Sequence, residues 1–111
     1  MSSNEFRQQW IAALRSGKYR QCLGTLDTGE ACCAFGVACR LMSDQLEVFT
    51  LPNGLVFYNQ STKYPPAIVL EKLGLPDWRR VAYLNDTGCT FEEIANLVEQ
   101  HLQEAVDSCP P

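Results

Sequence analysis

What the chain lacks narrows it first. It has no apolar run near the roughly 20 residues that a bilayer-spanning helix needs; its most apolar stretch is 31–42. The opening Met1-Ser2-Ser3-Asn4-Glu5 has neither a basic n-region nor an apolar h-region, so no export signal is read there and a cytoplasmic location is expected. In that setting the six cysteines are expected to be reduced thiols acting as small buried hydrophobes, not a disulfide framework. Nor is there a C-x-x-C pair: Cys22, Cys32, Cys33, Cys39, Cys89 and Cys109 fit no zinc-ligand spacing, and no metal or other cofactor is expected. Histidine occurs once, as His101, which leaves a single imidazole for any acid–base chemistry. Residues 81–111 hold six acidic groups and no Lys or Arg, which argues against nucleic acid as a partner. With no internal repeat, low-complexity tract or linker, the 111 residues are expected to form one domain, with 108–111 as a tail.

What is present is an ordinary globular composition, 46% apolar and 20% charged, with a net charge of −4. The organising stretch is Ala31-Cys-Cys-Ala-Phe-Gly-Val-Ala-Cys-Arg-Leu-Met42, whose one charged side chain is Arg40. A helix apolar nearly all round is a buried helix, and a central core helix is predicted near 31–43. Cys32, Gly36 and Cys39 would line one face of it. Gly36 in mid-helix costs about 1 kcal/mol relative to Ala, which implies that another element needs the space it leaves.

Around that helix the pattern predicts an α+β fold, with about five helices packed on one antiparallel hairpin or three-stranded sheet. Phe6, Trp10, Ala13 and Leu14 share one helical face, ended by Gly17. Lys18 to Glu30 reads as a small strand or hairpin. Leu46–Leu51 and Leu55–Tyr58 flank Pro52-Asn53-Gly54, a tight-turn signal. Pro65-Pro66 open a helix closed by Gly74, and Asp77 is placed to cap the next, Trp78 to Leu84. Asn85–Gly88 reads as a loop. Thr90 and Glu93 form a capping box for a final helix running to about Asp107, with Phe91, Ile94, Ala95, Val98 and Leu102 on one stripe.

Three clusters taken together, Trp10-Ile11-Ala12-Ala13-Leu14-Arg15-Ser16-Gly17-Lys18-Tyr19, Cys32-Cys33-Ala34-Phe35-Gly36-Val37-Ala38-Cys39 and Leu84-Asn85-Asp86-Thr87-Gly88-Cys89-Thr90-Phe91-Glu92-Glu93-Ile94-Ala95, resemble a group of short proteins of bacteria, phages and other mobile genetic elements. The resemblance spans Trp10 to Glu99. It implies an origin in a phage, plasmid or gene cassette and carries over no activity and no site.

Candidate chemistry is sparse. Cys32 or Cys33 at a helix start sits where the dipole favours a thiolate, with His101 as the only imidazole, on the edge of the last helix's apolar stripe. The plainer reading is packed thiols. Thr90–Ala95 looks like the opening of a helix-turn-helix, but no basic recognition helix follows. Cys33, Asn85 and Asp86 are candidate ligand-binding residues if the central helix and the 85–90 loop enclose a pocket; the plainer reading is that Asn85 and Asp86 hold a turn. Leu97, off the apolar stripe, and His101 are candidate interface residues. Two functions remain. One is a non-catalytic interaction protein, acting on a protein partner or by self-association, with no nucleic-acid or membrane partner. The other is a small-ligand binder or cysteine-dependent enzyme using the 85–90 pocket.

Overall fold

The computed structural model describes residues 3–75 and 78–107. The order of elements is α1 (Ser3–Arg15), α2 (Ala34–Leu41), β1 (Val48–Thr50), β2 (Val56–Tyr58), α3 (Ala67–Leu73), α4 (Trp78–Asp86) and α5 (Phe91–Asp107). Among the described residues five α-helices, one 3-10 turn (Ser43–Gln45) and a two-stranded antiparallel sheet make an α+β fold, as the sequence predicts.

Helix α2 is the core. Every residue from Ala34 to Cys39 is buried, so burial on all sides matches its uniform apolarity. Trp10 of α1 stacks on Phe35 at 5.9 Å between ring centroids, and its indole N–H donates to the Ala34 carbonyl at 2.8 Å. Trp78 of α4 meets the same Phe35 ring edge-on at 6.1 Å. Helix α1 also packs on α3 and α5, with Phe6, Trp10, Ile11 and Leu14 buried.

The helix is shorter than its apolar run. Ala31 to Cys33 are extended, not helical, because Cys32 is held by backbone pairing on both sides. Its amide donates to Arg20 O and its carbonyl accepts from Cys22 N, both at 2.8 Å, while Cys33 N donates to Leu26 O at 3.0 Å. These pairings are isolated bridges, so the strand or hairpin expected over 18–30 is an irregular segment with strand-like contacts.

The hairpin forms at the expected turn, in the register Val48↔Tyr58, Phe49↔Phe57 and Thr50↔Val56. It does not stand alone: Val56 N donates to Asp27 O at 3.0 Å, seating β2 against the 18–33 segment. Helix α3 follows Pro66 and ends at Gly74, as predicted. The Thr90–Glu93 capping box is reciprocal, with 3.1 Å bonds in both directions. Helix α4 runs through Asn85 and Asp86, so these two end a helix instead of forming a loop. The expected cap Asp77, the tail 108–111 and the side chain of His101 lie outside the described residues.

Gly36 leaves room for backbone. A Cβ built on it would collide with the Leu26 carbonyl oxygen and lie 2.8 Å from that carbonyl carbon. The 18–33 segment therefore crosses α2 at a point only glycine permits. Gly36→Ala is predicted to destabilise the protein by about 3 kcal/mol, at the upper end of the range for overpacked core sites, because the added methyl meets backbone. Guanidinium unfolding followed by circular dichroism checks this; a loss no larger than that of a surface substitution would contradict the crossing.

Candidate functional site

Two polar clusters interrupt the apolar core, and both fasten the 18–33 segment. The first centres on Asp27, 1% exposed. Arg40 of α2 holds its carboxylate in a fork, Nε to Oδ2 and Nη2 to Oδ1, each 2.8 Å. Tyr58 of β2 donates its hydroxyl to Oδ2 at 2.7 Å, and the Gly29 amide donates to Oδ1 at 2.8 Å. Four donors thus converge on two oxygens, which is what a buried carboxylate needs to stay ionised. Burial pushes the Asp27 carboxyl up, but the bonds from Arg40, Tyr58 and Gly29 outweigh it together and hold it below the usual carboxylate range. Burial, and then donation to Asp27, push the Tyr58 phenol well up.

The second cluster centres on Asn85, also 1% exposed, near the end of α4. Its Oδ1 accepts from Gln21 Nε2 at 2.9 Å and from Ala34 N at 3.1 Å. Its Nδ2 donates to Cys22 O at 3.0 Å and to Asp86 Oδ1 at 3.4 Å. The Ala34 amide opens α2 and has no partner within the helix, so Asn85 caps α2 from a neighbouring element. Both hydrogens and both acceptor directions of the amide are in use.

Beside the second cluster lies a cleft. Gly24, Thr25, Cys33, Phe35, Lys63, Tyr64, Pro65, Trp78, Ala82, Asn85 and Asp86 form its walls, and its volume is about 40 Å³. That is room for a few waters or one small side chain. The structure brings Cys33, Asn85 and Asp86 together on one concavity, walled by α4 and not by an 85–90 loop. Cys33 is the N-cap of α2, and its sulfur accepts from Gly36 N at 3.4 Å. Burial pushes the Cys33 thiol up to about 11, despite the lowering effect of amide bonds from Gly36 and Phe35. Its neighbour Cys32, buried behind the cleft, is pushed up to about 12, again by burial first. The helix-start position does not yield a thiolate: desolvation exceeds the dipole's pull. Asp86 is exposed and takes the Gly24 amide at 2.9 Å. Arg79 lies over the Trp78 ring, 4.9 Å from its centroid. Leu97 is 43% exposed on α5 and takes no part in the cleft.

Sequence reasoning missed Gln21, Phe35, Tyr64 and Trp78 as members of this site. It also missed the Asp27–Arg40–Tyr58 cluster, although a lone arginine in an all-apolar helix already required a buried or rim partner. Among the described residues no group of three or more His, Cys, Asp or Glu is arranged to hold a metal ion, and no helix is long and apolar enough to cross a membrane.

The depressed Asp27 value has a signed consequence. A carboxylate held below its unfolded value, about 3.9, adds stability above that pH and loses it as pH falls through the folded value. Asp27→Asn is therefore predicted to cost about 3–5 kcal/mol at neutral pH, the range for breaking one partner of a buried pair. The gap from wild type narrows as pH drops below about 4. Urea midpoints for both proteins across that range check it; a gap independent of pH would contradict the ionised, buried carboxylate.

No curated protein and no solved structure matches the chain. A family model described as a domain of unknown function, DUF8296, matches residues 1–78, a span that holds Asp27, Cys33, Arg40 and Tyr58 and stops short of Asn85. With most of the chain matched, the protein belongs to that family.

Proposed function

We propose that the chain is a small non-catalytic interaction protein that docks a partner protein at the cleft between the start of α2 and the end of α4. The observation that carries this reading is a set of three large exposed side chains, one in the cleft wall and two next to wall residues in the chain. Leu23, Tyr64 and Tyr83 are 54%, 59% and 67% exposed. Tyr64 is itself a wall of the cleft. Leu23 adjoins Gly24, whose amide is tied to Asp86, and Tyr83 sits one helical turn before Asp86 on α4. Tyrosines around a small apolar depression are the usual composition of an interface hot spot. Cleft chemistry favours packing over reaction: the Asn85 amide is spent on internal bonds, and the Cys33 thiol stays protonated. The resemblance to short proteins of phages and mobile elements suits an accessory factor working in the cytoplasm through protein contacts. The acidic last third suits a protein partner better than nucleic acid or an anionic membrane.

A second reading, a small-ligand binder or cysteine-dependent enzyme, draws on the convergence of Cys33, Asn85 and Asp86 at the same cleft. One experiment separates the two. A photo-crosslinking phenylalanine analogue replaces Tyr83 or, as control, the exposed Gln8 on α1. The proposal expects a defined protein crosslinked from position 83 and not from position 8. Equal labelling from both sites, or none, would contradict it. A small added mass on the native protein that disappears in Asp86→Ala would favour the second reading.

A further inference from the structure

We infer that the protein has a second contact surface, the outer edge of β1, and that its occupant is another copy of this chain paired antiparallel about Phe49. The inference does not depend on the cleft. The hydrogen-bond parity of the hairpin sets which backbone groups of β1 face outward. Asn59 N donates to Glu47 O at 2.8 Å and Leu51 N to Leu55 O at 2.9 Å. With the register Val48↔Tyr58, Phe49↔Phe57 and Thr50↔Val56 between them, Glu47, Phe49 and Leu51 turn their backbone groups toward β2. Val48 and Thr50 therefore turn theirs outward, and among the described residues no hydrogen bond reaches either amide. All three β1 residues are exposed, Val48 at 45% and Phe49 at 60%. Phe49 and Phe57 meet edge to face at 6.3 Å, so the outer face of the hairpin carries an aromatic pair.

Charge selects the occupant. Residues 48–62 contain no Asp, Glu, Lys or Arg, in a chain that is 20% charged. Sheet edges are kept single by charged side chains, above all lysine, by proline, by bulges or by shortness; β1 is short but carries no charge along its edge. A charge-free edge has nothing with which to select a charged partner, and nothing that repels its own copy despite the net charge of −4. An antiparallel edge is also its own hydrogen-bond complement. With a two-fold axis at Phe49, Val48 of each copy pairs with Thr50 of the other, and all the outward amides and carbonyls are satisfied. The two Phe49 rings then face each other at a non-hydrogen-bonded position, where side chains approach most closely. Phe57, Phe49 and their two counterparts form one aromatic row across four strands. In this register Glu47 lies opposite Leu51 of the second copy, so the carboxylates stay apart. Moving the axis to Thr50 would set Pro52, which has no N–H, opposite Val48.

A three-residue strand reaches far less than the roughly 800 Å² per partner of a standard interface, so association is weak and shows only at high concentration. Sedimentation equilibrium up to about 1 mM, under reducing conditions, is the test. The expected result is a reversible monomer–dimer equilibrium. On raising concentration, the Val48 and Thr50 amides gain exchange protection while the Phe49 amide, already paired with β2, does not change. Phe49→Lys is expected to weaken the dimer by roughly tenfold or more, through loss of an aromatic pair and burial of charge. Val48→Lys serves if Phe49→Lys disturbs the fold. A protein that stays monomeric throughout overturns the inference, as does a dimer that leaves the Val48 and Thr50 amides unprotected and is indifferent to both lysines. Neither result bears on crosslinking from position 83, so this inference and the cleft can fail separately.

Discussion

The buried carboxylate of Asp27 is the constraint on which the rest of the molecule depends. An ionised group with 1% exposure is tolerated only if every acceptor position is filled. Here the donors come from three separate places: Arg40 on the central helix, Tyr58 on the hairpin and the Gly29 amide in the segment that carries Asp27. No one of these elements can shift without stranding charge in the core. A buried ion pair adds little net stability compared with a well-packed apolar alternative. Its contribution here is positional: it fixes where an otherwise irregular segment must lie.

That segment, 18–33, has no helix and no strand, yet it crosses the middle of the fold. Its backbone groups are satisfied one at a time: Leu26 N by Thr62 O at 2.7 Å, Cys22 N by Cys32 O, Cys32 N by Arg20 O. Gly36 leaves the space for the crossing and Asn85 pins its near side to α4. The cleft follows from this arrangement. Its walls are the edge of the pinned segment at Gly24 and Thr25, the Cys33 cap of α2, the last turns of α4 and the 63–65 turn. Apart from the 63–65 turn, the elements that make the concavity are thus ones the two polar clusters tie together, and the exposed Tyr83 stands on one of them, α4.

What was legible in the sequence was local. The Thr90–Glu93 capping box, the Asn53-Gly54 hairpin, the proline-opened α3 and the amphipathic α1 each announce themselves within a few residues, and each forms as read. Gly36 was legible as a vacancy, though not what fills it. The non-local parts were hidden. Asp27 in Asp-Thr-Gly reads as a turn residue, and Arg40 as an isolated charge; only the fold brings them together across 13 positions. Ala31 to Cys33 look helical by apolarity, but pairing with the 20–28 backbone wins over helix propagation at that end. Asn85 and Asp86 look like a loop because both residues favour turns, whereas the internal bonds of the Asn85 amide let α4 continue through them. Cys33, Asn85 and Asp86 can be named as candidates from the sequence, but the bonds that tie Asn85 to Gln21, Cys22 and Ala34 reach residues more than fifty positions away and leave no local mark.

The central claim is that the 18–33 segment is part of the core, held as firmly as the helix it crosses. Native-state hydrogen exchange tests it most directly, on the amides of Leu26, Thr28, Cys32 and Cys33 against those of Val37 in α2 and Met42 at its C-cap. The account predicts one common opening free energy, equal to that of global unfolding, for both groups. Exchange from the segment through local opening, orders of magnitude faster than from α2, would contradict it.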